Sequence, residues 1–309
     1  MVYTVTLNPS LDYVTHLDCL IPGQINRTRE ERLFPGGKGI NLSLVLSALG
    51  VENVALGFIG GETGQFIEDT LSAQNIKTNF IKLPSGSSRI NIKILAKEET
   101  EINGAGPSVD KAALFALYQH INQLADGDVL ILSGSVPCGL RDNTYTDILA
   151  QIKGHDVSFV IDSHGPLLTQ TLQYRPFLIK PNLVELGDLF GKKLFHEEDI
   201  ATHAHLLKEQ GARNVLVSMG HRGALLLDEN GNLHRHFAAP GAVVSSVGAG
   251  DAMLAGFLAG WINHRDYMPA LRLGIAAGSA TAFRYGLASH EEIFHVLASL
   301  SSPNENMHA

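Results

Sequence analysis

The strongest chemical signal in the sequence is the run Gly248-Ala249-Gly250-Asp251, which opens directly into an apolar helical segment. Glycines let backbone N–H groups approach an anion closely, and the dipole at a helix amino terminus favours negative charge. The run therefore suits a site where the amides of Gly248, Ala249 and Gly250 bind a transferring phosphoryl group and Asp251 accepts a proton from the attacking hydroxyl. The alternative is a glycine turn with Asp251 as the helix N-cap, and the run alone fits both.

A second glycine-rich element, Gly36-Gly37-Lys38-Gly39-Ile40-Asn41, also leads into a helical pattern. It is not a Walker A loop, because Gly39 rather than Ser or Thr follows the lysine, and no strand leads into a GxGxxG run. Gly37 would allow close backbone approach to a polyhydroxylated substrate, Lys38 would supply an ammonium for a phosphate, and Asn41 would supply an amide for hydroxyls. The alternative is a structural turn followed by a helix cap.

The elements that must position these residues alternate between short β-rich runs and longer runs of helical period, which is typical of an α/β protein with a mostly parallel sheet. The predicted strands cover 2–7, 54–59, 129–132, 157–161, 177–179 and 215–218. The predicted helices cover 40–49, 66–74, 109–124, 143–152, 199–210, 249–263, 268–285 and 291–300. We expect a single domain over 1–309, with a small β-sheet lid whose strands are inserted at about 12–34 and 87–104.

Composition limits the partners and the location. The 309 residues include 31 Asp and Glu against 23 Lys and Arg, a net charge of −8, and no basic run. This balance argues against a nucleic-acid or anionic-membrane surface and favours a small-molecule partner. The apolar stretch 252–262 is too short to span a bilayer, and the amino terminus lacks the basic region of a signal peptide. Two cysteines, Cys19 and Cys138, give no disulfide framework, so we expect a reducing, cytoplasmic location.

Taken together and in order, six motifs resemble the ribokinase-like carbohydrate kinases of the PfkB family, and within it the branch of 1-phosphofructokinase and tagatose-6-phosphate kinase. The motifs lie at 6–12, 36–41, 133–137, 180–185, 218–224 and 248–251, so the resemblance covers essentially the whole chain. It implies a three-layer α/β/α domain with a β-sheet lid, with ATP and Mg²⁺ as cofactors. It also implies a homodimer formed through the lid, where Ile90, Ile92 and Ile94 would give one apolar face.

The resemblance assigns roles on the nucleotide side. Asp251 would be the catalytic base, with the amides of Gly248, Ala249 and Gly250 as its anion hole. Asn182 and Glu185 match an NxxE element that organises Mg²⁺ and phosphate, through water because magnesium retains several of its own. The positions that would contact ATP are Lys180, Asn182, Ser218, Gly220, Gly223 and Gly250.

On the sugar side, Asp12 matches the acid that accepts hydrogen bonds from sugar hydroxyls, together with Gly37 and Asn41. Arg89 matches a ligand of the substrate phosphate. Without the resemblance, Asp12 would be interpreted as an Asx turn and Arg89 as a solvated strand residue. Lys38 and Arg89 are the only cations that we find inside the motifs that the family devotes to the sugar, so both are expected to bind the phosphate that the substrate already carries.

The implied reaction is ATP-dependent phosphorylation of a ketohexose monophosphate to the 1,6-bisphosphate. Residues 89–93 and 99–107 resemble the 1-phosphofructokinase branch, which ranks fructose 1-phosphate first, tagatose 6-phosphate second and fructose 6-phosphate third. A catalytically dead sugar or nucleotide sensor on the same fold is the non-enzyme alternative. The presence of Asp251, Asn182 and Glu185 counts against it. An NAD-linked oxidoreductase would need a dinucleotide fingerprint that the sequence lacks.

Overall fold

The protein alternates strands and helices along the chain, and its computed structural model describes residues 1–152 and 154–300. In this part of the chain the strands are β1 (Val2–Thr6), β2 (Ser10–His16), β3 (Glu30–Gly36), β4 (Asn53–Ile59), β5 (Lys77–Lys82), β6 (Arg89–Leu95), β7 (Thr100–Asn103), β8 (Val129–Ser133), β9 (Ser158–Asp162), β10 (Leu178–Ile179), β11 (Asn214–Ser218), β12 (Ala224–Leu227) and β13 (Leu233–His236). The α-helices are α1 (Lys38–Ala48), α2 (Gly61–Ala73), α3 (Lys111–Ile121), α4 (Thr144–Gln151), α5 (Gly165–Thr169), α6 (Leu183–Leu189), α7 (Glu197–Glu209), α8 (Ala249–His264), α9 (Tyr267–Ala282) and α10 (His290–Ser299).

The larger sheet has nine strands in the spatial order β13-β12-β11-β10-β9-β8-β1-β4-β5. All neighbouring pairs between β11 and β5 are parallel, whereas β12 and β13 add an antiparallel edge. Both faces of the central strands are buried, which explains why they consist of runs of leucine, isoleucine and valine with no polar alternation. The predicted α/β class with a mostly parallel sheet is confirmed.

Helices cover both faces of this sheet, so the domain has three layers. Alternate residues of β8 point to opposite cores: Leu130 and Leu132 join the buried residues of α3 to α7, and Ile131 joins those of α1, α8, α9 and α10. In the second core α8 is buried along most of its length. Small residues allow this, because a side chain at Gly256 would come within 2.7 Å of the Leu273 carbonyl oxygen on α9.

A second, smaller sheet has the order β3-β2-β6-β7 and is formed by the two insertions. In it β2 pairs in parallel with β6, so that Asp12 lies opposite Asn91 and Val14 opposite Lys93. Side chains alternate between the two faces of a sheet, which places these four residues on one common face. Part of the first insertion was expected to be extended, but residues 17–29 form no regular strand. The turn at Pro22-Gly23 interrupts it, with Gly23 in the left-handed region (φ 77°).

The sequence pattern misses some of the elements. Strand β5 is an edge strand with polar residues on its exposed side, and β12 is a run of four apolar residues, too short to be assigned by periodicity. Helix α2 begins at Gly61, ahead of the predicted start at residue 66, because Gly61 takes a positive φ of 59° at the first helical position. Among the described residues, no helix has both the length and the hydropathy that crossing a membrane requires.

Candidate active site

The site lies at the carboxyl edge of the larger sheet, where parallel strands end side by side. Ser133 ends β8, Asp162 ends β9 and Ser218 ends β11, while Lys180 directly follows β10. The amino terminus of α8 faces the same edge, since Lys180 Nζ lies 3.5 Å from where a Cβ at Gly250 would be. Ligands of open α/β sheets bind outside the carboxyl ends of the strands, and the predicted nucleotide residues Lys180 and Ser218 are found there.

Asp251 lies in the first turn of α8 and is 8% exposed. The N-cap is Gly248, which adopts a left-handed backbone (φ 76°), and the first helical bond runs from the Ala252 amide to the Gly248 carbonyl at 2.8 Å. The alternative in which Asp251 is the N-cap is therefore wrong. Asn41 Nδ2 donates a 2.8 Å hydrogen bond to Asp251 Oδ2, so this predicted sugar ligand also orients the predicted base.

The anion hole predicted at this turn rests on amides at a helix amino terminus, which lack intrahelical acceptors. Of the three predicted amides, that of Ala249 makes a long 3.3 Å bond to the Ser246 carbonyl. Gly250 lies beside the Lys180 ammonium, because a Cβ at Gly250 would be in van der Waals contact with Lys180 Nζ. The turn thus combines backbone donors with a cation, as binding of a multiply charged phosphoryl group requires.

Burial raises the pKa of Asp251 to about 6, and the nearby negative charge of Asp162 adds to this. Lys38, the Asn41 hydrogen bond and Lys180 act in the opposite direction. A carboxylate with a pKa near 6 is ionised at neutral pH yet far more basic than an exposed aspartate. These are the properties of a general base that operates close to neutral pH.

Asp162 is a second buried carboxylate that sequence reasoning did not assign to the site. Its side chain is fully buried, and Oδ1 lies 3.1 Å from Lys38 Nζ and 3.3 Å from Lys180 Nζ. Burial alone would raise the pKa of Asp162, but the two lysines reverse this and lower it. Asp162 Oδ2 is buried and has no hydrogen-bond partner in the described part of the chain. The carboxylate therefore holds both ammonium groups in place.

Lys38 connects two halves of the site. Burial opposes its charge, but the carboxylates of Asp162, Asp251 and Glu185 raise its pKa, so it stays protonated. It lines a cavity of about 850 Å³ together with Lys180, Asn182, Ser218, Gly220 and the Gly248–Asp251 turn. It also lines a smaller cavity of about 200 Å³ with Gly37, Arg89 and Ser133. The predicted substrate cation thus faces both a nucleotide-sized cavity and a phosphate-sized one.

Gly223, a predicted nucleotide contact, is not among the residues that line the larger cavity. Its φ is 84°, and a Cβ would lie 2.2 Å from the His236 carbonyl oxygen. The position therefore requires glycine for backbone packing between β12 and the segment after β13. Gly220, by contrast, does line the cavity and meets nothing within 4 Å.

Asn182 and Glu185 form a capping box at the start of α6. Asn182 Oδ1 accepts from the Glu185 amide, and Glu185 Oε2 accepts from the Asn182 amide, both at 2.8 Å. The other oxygen, Oε1, is 4.0 Å from Lys38 Nζ, and Glu185 lines the nucleotide-sized cavity. Within the described residues no cluster of three or more His, Cys, Asp or Glu could hold a metal by itself. Oxygen donors facing a phosphate cavity suit Mg²⁺, which is bound through one or two carboxylates, water and phosphate.

The lid side of the site centres on Asp12. Asp12 Oδ1 accepts from Ser10 Oγ at 2.7 Å and from Asn91 Nδ2 at 3.0 Å. Asp12 Oδ2 lies 3.3 Å from Lys93 Nζ. Asp12 and Lys93, with Asn41 and Gly248, line a largely apolar cavity of about 500 Å³ beneath the lid. Lys93 contradicts the expectation that Lys38 and Arg89 are the only cations in the sugar motifs. The alternation of Arg89, Asn91 and Lys93 in the sequence carried that signal.

Arg89 is half-buried, and two nitrogens of its guanidinium have partners on the protein. Nε donates to the Asn8 carbonyl oxygen at 3.0 Å, and Nη1 approaches Asn91 Oδ1 at 3.4 Å. Burial lowers the pKa of Arg89, and the charge of Asp12 opposes this. These two contacts leave Nη2 and other N–H groups of the fork available to the 200 Å³ cavity that Arg89 lines with Lys38.

Comparisons with known proteins show the family of the chain. The family description "pfkB family carbohydrate kinase" matches residues 5–293. The chain is similar to 1-phosphofructokinase of Bacillus subtilis, with 41% identity over 96% of this chain and 97% of that one. It is equally similar to D-tagatose-1-phosphate kinase of Bacillus licheniformis, with 41% identity over 93% and 94%. Phosphofructokinase-2 of Escherichia coli, solved with substrates and products, superposes with a TM-score of 0.92 at 28% identity, covering 97% and 99% of the two chains.

Proposed function

The chain belongs to the pfkB family of carbohydrate kinases, and we propose that it transfers the γ-phosphoryl group of ATP to fructose 1-phosphate, giving fructose 1,6-bisphosphate and ADP. The observation that carries this proposal is the cavity of about 200 Å³ shared by Lys38 and Arg89, next to the cavity that holds Asp251. Two cations beside an acceptor site are needed when the substrate already carries a phosphate, because they replace its lost hydration.

In the proposed arrangement, ATP occupies the 850 Å³ cavity and the sugar lies between the lid sheet and α1. Arg89 and Lys38 bind the 1-phosphate, and Asp12 and Asn41 bind ring hydroxyls. This orientation directs the 6-hydroxyl to Asp251. Positioning of the acceptor against the γ-phosphate supplies much of the rate enhancement in phosphoryl transfer.

The transfer step uses Asp251 as the base. The 6-hydroxyl gives its proton to the Asp251 carboxylate while its oxygen forms a bond to the γ-phosphorus, and the bond from that phosphorus to the bridging oxygen of ADP breaks. The amides of Gly248, Ala249 and Gly250 and the ammonium of Lys180 surround the negative charge of the transferring group. Because Asp162 restrains Lys38 and Lys180, little reorganisation is needed when that charge moves.

Magnesium fits the nucleotide side of the site. Glu185, with Asn182 beside it, would hold the ion partly through water, and the buried Asp162 Oδ2 adds a nearby acceptor without a partner in the described residues. When bound there, the ion would neutralise part of the phosphate charge.

A tagatose phosphate is the second candidate substrate. The two relatives with 41% identity carry different names, one for fructose and one for tagatose. In the tagatose relative's name the phosphate is on carbon 1, the same position as in fructose 1-phosphate. The cavity shared by Lys38 and Arg89 would serve either sugar, because the two differ only in the configuration at carbon 4.

The lid also supports a proposed homodimer. On the face of the smaller sheet away from Asp12, Leu33 is 48%, Ile90 46% and Ile102 54% exposed. Ile90 and Ile102 lie on the paired strands β6 and β7, and Leu33 lies on β3, on the far side of β2. All three share one face of the sheet, which a second lid would cover. Sedimentation of the wild-type protein and of an I90E/I102E variant tests this: the variant should sediment as the smaller species. The exposed thiols of Cys19 and Cys138 are in keeping with the cytoplasmic location expected from the sequence.

The experiment that tests the proposed function is an ADP-release assay over a panel of acceptors. The panel contains fructose 1-phosphate, tagatose 1-phosphate, tagatose 6-phosphate, fructose 6-phosphate, fructose, ribose and adenosine. We expect the highest kcat/KM for fructose 1-phosphate. A preference for ribose or adenosine would overturn the sugar-phosphate assignment, and the absence of turnover with every acceptor would favour the sensor.

A further inference from the structure

Lys93 is a buried cation to which neither the sequence motifs nor the proposed phosphate site assigns a role. It lies on β6, a central strand of the lid sheet, opposite Val14 and Glu101 on the neighbouring strands. The residue is 8% exposed, and it lines the 500 Å³ cavity together with Asp12 and Asn41. Its ammonium is therefore directed at the space where the proposed function places the sugar ring.

The partners of Lys93 leave part of its donor capacity unused. Nζ is 3.3 Å from Asp12 Oδ2, and Glu101 Oε1 is further away at 3.9 Å on a partly exposed side chain. An ammonium has three donors, so at least one N–H remains for the cavity. Burying a charge with so few partners is costly, and replacing such a pair with apolar residues often stabilises a protein. The presence of this buried pair in a largely apolar cavity points to a ligand.

Asp12 has an unused capacity to accept a hydrogen bond, which complements the free donor of Lys93. Ser10 and Asn91 both donate to Oδ1, which fixes the carboxylate plane. Oδ2 has Lys93 on one side and can accept one more hydrogen bond from the cavity. An acceptor oxygen and a donor ammonium thus stand side by side, 3.3 Å apart. Two hydroxyl groups on adjacent ring carbons present a matching pair, one donating and one accepting.

We propose that Lys93 is a specificity-determining residue that, with Asp12, reads two adjacent ring hydroxyls of the sugar phosphate. One hydroxyl donates to Asp12 Oδ2 and its neighbour accepts from Lys93 Nζ. This inference rests on the proposed function, which places ring hydroxyls at Asp12. The adjacent furanose hydroxyls that the pair reads are those on carbons 3 and 4. Inverting carbon 4 moves one hydroxyl to the opposite face of the ring. Lys93 therefore contributes to the discrimination between fructose and tagatose 1-phosphates.

The test is a double-mutant-type cycle in which one change removes the Lys93 ammonium and the other removes one hydroxyl group of the substrate. Kinetics of the wild type and Lys93→Met are measured with fructose 1-phosphate and with its 3-deoxy and 4-deoxy analogues. With the wild type, the analogue that lacks the hydroxyl bound by Lys93 should lose about 10- to 100-fold in kcat/KM, as expected for a hydrogen bond to a charged group. With Lys93→Met the same deletion should cost less than about threefold, because the partner is already gone. The ratio of kcat/KM for fructose 1-phosphate over tagatose 1-phosphate should fall in the same variant.

The controls separate the possible failures. Lys97→Met makes the same chemical change at an exposed position of the same lid and should leave all ratios unchanged. An unaltered KM for ATP shows that Lys93→Met is folded, and Lys93→Gln serves in its place if it is not. If both deoxy analogues lose the same factor in wild type and variant, Lys93 only neutralises Asp12 and the proposal is overturned. If the wild type does not use fructose 1-phosphate, the proposed function fails separately, and the cycle is run with deoxy analogues of the best acceptor in the panel.

Discussion

Two aspartates of almost equal burial stand on opposite sides of the acceptor site, Asp12 on the lid and Asp251 at the start of α8. Asp12 is surrounded by Ser10, Asn91 and Lys93, so both of its oxygens have partners. Asp251 has one side-chain donor among the described residues, Asn41. A carboxylate that is held by donors and paired with a cation is suited to binding, whereas one left short of donors in a buried place becomes basic. The two aspartates are buried to almost the same extent, so the difference between a binding role for Asp12 and a catalytic role for Asp251 comes from their neighbouring side chains.

Asp251→Asn tests the catalytic role of Asp251 and should have the largest effect on activity. The amide has nearly the same shape but cannot accept the hydroxyl proton, so kcat should fall by about 10²- to 10⁴-fold. The KM for ATP and the thermal unfolding midpoint should change little. Steady-state kinetics with Asp12→Asn as the comparison should show the opposite pattern, a loss mainly in the KM for the sugar phosphate. If Asp251→Asn keeps more than about a tenth of the wild-type kcat, Asp251 is not the base.

Arg89→Ala tests the binding side and should have the next largest effect. Loss of a charged hydrogen bond to phosphate should lower kcat/KM for fructose 1-phosphate by roughly 10- to 150-fold, or about 1.5 to 3 kcal/mol. Free fructose, which has no phosphate to lose contact with, should be affected much less. The loss appears in KM if the phosphate is held equally in the ground and transition states, and partly in kcat if its binding also closes the lid. Equal losses for both substrates would leave Arg89 only its structural bonds to Asn8 and Asn91.

The sequence predicts the catalytic turn around Asp251 better than it predicts the other charged side chains of the site, Asp162 and Lys93. The glycine turn that positions Asp251 is a local feature, with its helix directly after it, so the motif alone indicates the chemistry. Asp162 has no such motif: it reaches the site only because β9 ends beside β10, and that strand order is a property of the whole sheet. The pattern of β6 is dominated by Ile90, Ile92 and Ile94, which face away from Asp12, so it gives no prediction for Lys93. The sequence analysis assigns Asn182 and Glu185 to Mg²⁺ and phosphate, and the structure adds that the two residues form a capping box.

The acid limb of the pH profile of kcat/KM tests whether Asp162 raises the pKa of Asp251. Because the base must be ionised, wild-type kcat/KM should fall as the pH drops through about 6. Asp162→Asn removes a negative charge that raises the pKa of Asp251 and frees Lys38 and Lys180 to lower it further. Both changes lower the pKa of Asp251, so the acid limb should move to lower pH even though overall activity falls.

The substrate phosphate also titrates near this range, so the informative quantity is the difference between the two profiles, measured with the same substrate. Lys97→Met serves as the control for a charge change at an exposed position of the lid and should reproduce the wild-type limb. A limb that stays in place, or moves upward, in Asp162→Asn would mean that Asp162 does not set the basicity of Asp251.

Glu185→Gln should have the smallest effect on activity. It tests whether the Glu185 carboxylate binds Mg²⁺ through its charge or only caps helix α6. Glutamine keeps an oxygen that can accept from the Asn182 amide, so the capping box should survive and the free energy of unfolding should change by less than about 0.5 kcal/mol. The lost charge, however, should raise the Mg²⁺ concentration for half-maximal activity several-fold, because Mg²⁺ binds carboxylate oxygen more strongly than amide oxygen. Glu185→Ala removes both functions and should add a stability loss of roughly 0.5 to 2 kcal/mol. An Mg²⁺ dependence that is unchanged in Glu185→Gln, together with a stability loss in Glu185→Ala, would assign Glu185 to the helix cap alone, and the charge that faces Mg²⁺ would then have to come from Asp162 or Asp251.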